Sequence, residues 1–228
     1  MDKREFKDVD NAIAGELARR QHSLSQPQVR LHQRILRHFA DTALAPAPAD
    51  LRTWADELGT ALTGTLAELV ALDLIECDAD LALIRGAYPF TGHAAGYRVQ
   101  IAGGVAVESY CALDSLGISA MLGKDVTVTS TDPHTSEPVR VEVRGLDVNW
   151  GPEDAVVSIP SRLDAEGPAA QVCCPTVNFF ARPANAAAYQ LEHGVGLMVL
   201  TMDQAVELAA RAFGPLLQPE TEPLRSSS

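Results

Sequence analysis

Four cysteines are spread through 228 residues, and two of the places where they fall look chemical rather than structural. The first is Tyr110-Cys111-Ala112-Leu113-Asp114, where a thiol is followed three residues later by a carboxylate; the second is Val172-Cys173-Cys174. A thiolate is soft and polarizable, so such a set suits Cu(I), zinc, iron–sulfur or a heavier thiophilic ion. If a strand ends and a helix begins at Cys111, the unpaired N–H groups of the first turn favour its thiolate. On that helix Asp114 shares a face with Cys111, and the two form a proton-transfer couple. Cys173 and Cys174 read as part of a strand over 172–179, where neighbours point to opposite faces, so only one of them should reach a site shared with Cys111. The alternation does not decide which.

The bland alternative is that all four are small buried hydrophobes, and Cys77, set among acidic residues, is read that way. Structural zinc would need Cys111, Asp114, Cys173 and one of Cys174, His134 or His193. The sequence offers neither a C-x₂-C pair nor a His pair at helical spacing beside these cysteines. No phosphate-binding loop, nucleophile elbow or dinucleotide fingerprint is present.

These residues need a scaffold, and the composition allows one. With 46% hydrophobic and 21% charged residues the chain can bury a sizeable core. Its formal charge of −12 disfavours nucleic acid as a partner. The charged start and the lack of a long apolar run argue against export or a membrane span, so a cytoplasmic, reducing setting with free thiols is expected.

Apolar spacing predicts helices over 9–24, from Gln28 to about Phe39, over 51–58 and over 60–73, then short strands at Leu74-Ile75 and Leu81 to Ile84. Three helices followed by a hairpin read as winged-helix-like. The last of them carries Glu68 and Asp73 and no basic residue, which suits structure or dimerisation better than the major groove. Beyond Gly86 the texture changes to Val-rich strands at 97–101, 105–107, 126–129, 139–143, 156–159 and 172–179. Helices interrupt and close them at 112–122, 184–192 and 201–213, the last with a Thr201/Gln204 capping box. The expected fold is α+β: a helical, winged-helix-like part over 1–85, a mixed or antiparallel sheet core with flanking helices over 86–215, and a disordered tail over 216–228.

In Tyr110-Cys111-Ala112-Leu113-Asp114-Ser115-Leu116, Val126 to Glu137 before a Pro-Val strand, Cys173-Cys174 ahead of Phe179-Phe180-Ala181, and Gly194 to Phe213, the chain resembles the organomercurial (alkylmercury) lyases. The resemblance runs over roughly residues 80–215. It implies protonolysis of a carbon–mercury bond to a hydrocarbon and Hg(II), with Cys111, Asp114 and Cys173 as the catalytic set and the mercury ligands. Mercury is then substrate and product rather than cofactor, and no other cofactor is implied. Organomercurial small molecules and low-molecular-weight thiols are the expected partners, with a mercuric reductase as recipient of the ion. Two departures stand out: Tyr110 occupies a position typically Trp, and Asp132 lies close to where many members carry a further cysteine. Other readings are a thiophilic-metal binder that does not cleave, a winged-helix sensor gated by its cysteines, and a lyase scaffold recruited to other cysteine chemistry.

Overall fold

A computed structural model describes residues 3–163 and 166–218. The chain opens with four helices, α1 (Lys3–His22), α2 (Gln26–Thr42), α3 (Pro48–Leu58) and α4 (Leu62–Ala71). Leu31, Ile35, Leu36 and Phe39 form the buried face of α2, as the spacing predicts. Pro48 begins α3, where a missing N–H costs nothing, and Gly59 ends it in a left-handed conformation (φ 65°). The charged residues from Lys3 on, ahead of the helix predicted over 9–24, belong to α1 as well.

An eight-stranded antiparallel sheet follows, in the order β1-β2-β3-β5-β4-β6-β7-β8. Its strands are β1 (Ile75–Cys77), β2 (Ile84–Ala87), β3 (Phe90–Thr91), β4 (Arg98–Ile101), β5 (Ala106–Ser109), β6 (Val126–Thr131), β7 (Pro138–Arg144) and β8 (Asp147–Gly151). The hairpin β1–β2, read from sequence as a wing, pairs through β3 into this sheet. Val126, Val128, Val139, Val141 and Val143 alternate with exposed or half-buried residues, as one buried sheet face requires. A smaller antiparallel sheet, β10-β9-β11, is formed by β9 (Val156–Pro160), β10 (Phe179–Phe180) and β11 (Leu197–Thr201). The remaining helices are α5 (Ala112–Leu122), α6 (Ala169–Val172), α7 (Pro183–His193) and α8 (Met202–Phe213).

Helix α5 is buried almost all round and packs on α8. The approach is so close that a Cβ on Gly117 would lie 2.3 Å from Phe213, so only glycine fits there. Thr201 caps α8 with its reciprocal Gln204 bonds, as expected. One apolar core runs from Val9 through the sheet to Leu216. Leu216 and Leu217, read from sequence as part of the tail, belong instead to a 3-10 turn over Gly214–Leu217, and the Leu216 carbonyl accepts from Gln21 (2.9 Å) and Gln33 (3.1 Å). Residues 219–228 of that tail lie outside the described residues.

His32 on α2 is fully buried, and neither ring nitrogen makes a hydrogen bond of normal geometry. Burial pushes its pKa down to about 4, with the Leu74 backbone offsetting this only in part. Below the unfolded value near 6.5 the unfolded chain binds the extra proton and the folded one does not. Stability is therefore lost as pH falls from about 6.5 towards 4, by roughly 2 kcal/mol at pH 5. Urea unfolding of wild type and His32→Leu at pH 7 and pH 5 checks this: the variant should lack that part of the acid loss. An equal wild-type-to-variant gap at both pH values would refute it.

Candidate active site

Cys111 stands between β5 and α5 as the N-cap of the helix, with extended backbone (φ −153°, ψ −179°). Asp114 lies in the first turn above it, as the spacing predicts. The cysteine pair is placed differently from expectation. Residues 172–179 are not a strand: α6 ends at Val172, Cys173 is its C-cap, and Cys174 opens a 3-10 turn over Cys174–Thr176. Gly167, Pro168 and Pro175 break any ladder here, and the Val-rich pattern that suggested a strand continues only at Phe179. In helical geometry successive side chains are rotated by roughly 100–120° rather than opposed. Both thiols can therefore face one site, and both do.

Cys111, Asp114 and Cys174 are all buried and place their ligand atoms within 4.8 Å of one another. Cys174 Sγ donates towards Asp114 Oδ2 at 3.8 Å. Cys173 is half-buried and lines the same cavity, together with Cys111, Asp114 and Cys174. The cavity measures about 200 Å³, and Ile13, Leu17, Leu113, Val172 and Phe213 give it apolar walls. Helix α1 supplies one wall, a role the sequence did not disclose.

Several bonds hold the cysteine segment against α5. The Ala112 N–H donates to the Val177 carbonyl (3.1 Å). The Ser158 hydroxyl on β9 donates to the Thr176 carbonyl (2.6 Å), and Tyr97 donates to Asn178 Oδ1 (2.5 Å). His134 pairs with Glu192 and His193 stacks on Tyr189, and the tight group among the described residues holds Cys111, Asp114 and Cys174 but not Cys173, three of the ligands weighed for zinc rather than four.

Burial dominates the electrostatics and overturns one expectation. A helix start is worth about 0.3–1 kcal/mol to an anion, yet desolvation pushes the Cys111 thiol well above its usual range. Burial, with the negative charges of Cys111 and Asp114 nearby, pushes Cys173 up to about 12. A hydrogen bond with Cys111 lowers Cys174, but burial and the facing charges outweigh it, leaving it at about 11. All three therefore rest as thiols at neutral pH. Asp114 is raised to about 7, chiefly by burial and against the hydrogen bonds it receives from Cys111 and Cys174. The site thus stores thiol protons beside a carboxylate poised to accept one and release it. Cys77 keeps the ordinary role read from sequence, half-buried in β1 and raised to about 11 by burial.

The two departures also find their places. Tyr110 points away from the cavity: its hydroxyl donates to Glu76 Oε2 (2.6 Å), its ring packs on Tyr88 (4.8 Å), and Gly86 leaves the space it fills. Its partner Tyr88 does line the cavity. Asp132 acts as a hub. It accepts from the backbone of Ala181 (2.8 Å), His134 (2.8 Å) and Thr135 (3.1 Å) and from Asn185 (2.7 Å), joining the β6–β7 turn to the start of α7.

Comparison with known proteins points the same way. Alkylmercury lyases from Bacillus cereus and Streptomyces lividans are each 36% identical to the chain, over 106 and 121 residues. Those matches cover 46% and 53% of this chain and 48% and 55% of the relatives, so the chain spans about half the length of the curated relatives it matches. A crystal structure described as the mercury-bound form of MerB2 superimposes with a TM-score of 0.72 at 20% identity, covering 90% of this chain and 98% of that one, and so shares the fold. Residues 90–214, more than half of the chain and including every thiol and carboxyl of the cluster, match the family described as MerB, alkylmercury lyase; the chain belongs to the alkylmercury lyase family.

Proposed function

We propose that the protein is an organomercurial lyase, cleaving carbon–mercury bonds by protonolysis with Cys111, Asp114 and Cys173 as its catalytic groups. The observation that carries this reading is the single cavity in which buried thiols meet a carboxyl balanced near neutrality beside an apolar wall. An apolar cavity of about 150 Å³ takes benzene, so about 200 Å³ suits a phenyl or short alkyl group on mercury.

The chemistry needs no change of oxidation state. One cysteine thiol displaces the incoming ligand of RHg–SR′, forming a Cys–S–HgR bond and releasing R′SH. The second thiol adds its sulfur to mercury and passes its proton to the Asp114 carboxylate. Asp114 then gives that proton to carbon; the electron pair of the C–Hg bond becomes the C–H bond, and the hydrocarbon leaves. Hg(II) stays between Cys111 and Cys173 until free thiols extract it. Mercury arrives with the substrate and departs as product, and thiols and carboxyl supply the rest without a resident cofactor. A mercuric reductase as the recipient and a cytoplasmic location fit this reading. None of the described helices is long and apolar enough to cross a membrane. The helices α2 to α4 with the β1–β2 hairpin we read as winged-helix-like in order, serving as scaffold.

One observation favours a second reading of the ligand set. Cys174, not Cys173, completes the tight group with Cys111 and Asp114. In that reading Cys174 is the inner mercury ligand, and the more exposed Cys173 is the thiol that first meets the substrate.

Headspace gas chromatography of purified protein with phenylmercuric acetate and excess thiol tests the activity. Catalytic benzene release is the expected result. Stoichiometric retention of Hg(II) with no benzene would make the protein a binder instead.

A further inference from the structure

The short helix that delivers Cys173 does not hold its own start. Helix α6 is four residues long, Pro168 at its N-cap offers no side-chain acceptor, and the last turn passes directly into Cys173 and Cys174. Its first two N–H groups are taken by side chains from far away in the sequence. Ala169 N donates to Asp73 Oδ2 (2.9 Å), and Ala170 N donates to the Tyr88 hydroxyl (2.9 Å). That hydroxyl in turn donates to Asp73 Oδ1 (3.2 Å), and Arg20 Nη1 of α1 reaches Asp73 Oδ2 (3.1 Å). Asp73 is presented from just beyond α4 in a left-handed backbone conformation (φ 51°), uncommon for a residue other than glycine. Arg20, Asp73 and Tyr88 all line the thiol cavity, yet the mechanism above uses none of them.

We propose that Asp73 and Tyr88 are positioning residues that dock the start of α6 and so fix the Cys173-Cys174 pair opposite Cys111, with Arg20 tying the α1 wall of the cavity to the same carboxylate. A four-residue helix cannot sustain itself, because nucleation fixes several residues for one hydrogen bond. Its place must come from outside. A carboxylate taking a backbone N–H at a helix start and a tyrosine taking the next one supply both orientation and register. Since a thiol pair misplaced by about 1 Å grips a metal poorly, losing these partners should cost 10–100-fold in metal retention or rate, the range found for groups that orient metal ligands.

This inference rests on the reading that the cavity takes mercury, and its test separates the two. The full chain is loaded with mercuric chloride, and retention is read by competition with dithiothreitol and by the near-ultraviolet mercury–thiolate absorption. Asp73→Ala and Tyr88→Phe are each expected to lower retention 10–100-fold and to reduce kcat for phenylmercury more than they raise KM. Asp73→Asn, whose amide oxygen still accepts from Ala169, should stay closer to wild type. In a Cys173→Ser/Cys174→Ser background the effect of Asp73→Ala on mercury should vanish, because nothing is left for it to position. Should Asp73→Ala fail to fold, Tyr88→Phe keeps the ring on Tyr110 and carries the same test. A lower melting temperature with unchanged retention, absorption and kcat per folded molecule would make the contacts purely structural and overturn the proposal. If wild type holds Hg(II) but releases no benzene while the variants lose the ion, the lyase reading falls and the positioning role stands.

Discussion

Asp114→Asn is expected to separate cleavage from capture. Carbon–mercury cleavage should fall by on the order of 10²–10⁴, the usual contribution of a positioned general acid. Hg(II) retention should stay close to wild type, since sulfur makes the strong bonds. The same variant should be more stable than wild type, and the sign follows from the raised pKa. Asp114 titrates near 7 in the folded protein and near 3.8 when unfolded, so its contribution is fully present below about 3.8 and drains away as pH rises towards 7. An uncharged amide escapes that loss. Its stability advantage should be about 2 kcal/mol at pH 5 and about 4 kcal/mol at pH 8, order-of-magnitude figures at 1.36 kcal/mol per pKa unit. Single-turnover benzene release, thiol competition for Hg(II) and urea unfolding at the two pH values check the three parts. Unimpaired cleavage would remove Asp114 from the mechanism, and an advantage that does not grow with pH would contradict its buried, raised titration.

Residues whose role is set by local geometry were legible before any coordinates. The placement of Asp114 beside Cys111 needed only a helix start and a three-residue spacing. The alternating valines of β6 and β7 and the Thr201 cap follow from period and capping alone. What the sequence hid was tertiary. Strand β8 is largely exposed or half-buried, with no apolar alternation to announce it, and β11 pairs with β9 although α6, β10 and α7 lie between them in the chain. The 172–179 segment carried a strand's composition, but its prolines and the docking of α6 by Asp73 and Tyr88 gave it helical turns, which is why both thiols face the cavity. The helix-start argument for a Cys111 thiolate failed for a related reason. A dipole is local and visible in sequence, whereas the burial that outweighs it comes from α1, α6 and α8 closing over the site.

Replacing the thiols one at a time should order their roles. Cys111→Ser is expected to abolish both mercury retention and cleavage, because a hydroxyl is a hard, weak ligand for mercury. The protein should nonetheless fold, since serine is a favourable N-cap and Cys111 occupies that position on α5. Cys173→Ser should be nearly as damaging: Cys173 is the most exposed thiol of the cavity and thus the one an incoming thiol-bound mercurial can reach. Cys174→Ser should cost about tenfold or less, because a serine hydroxyl can still donate to Asp114 Oδ2 and keep the acid in place. Groups that act as a unit are not additive, so Cys111→Ser/Cys173→Ser should be no worse than Cys111→Ser alone. Mercury–thiolate absorption and benzene release, measured side by side across the series, decide the ligand pair. Loss of the absorption in Cys174→Ser with its survival in Cys173→Ser would hand the inner position to Cys174, as the 4.8 Å grouping with Cys111 and Asp114 favours. The reverse pattern would mean that mercury draws Cys173 inward when it binds, leaving Cys174 to hold the acid that protonates carbon.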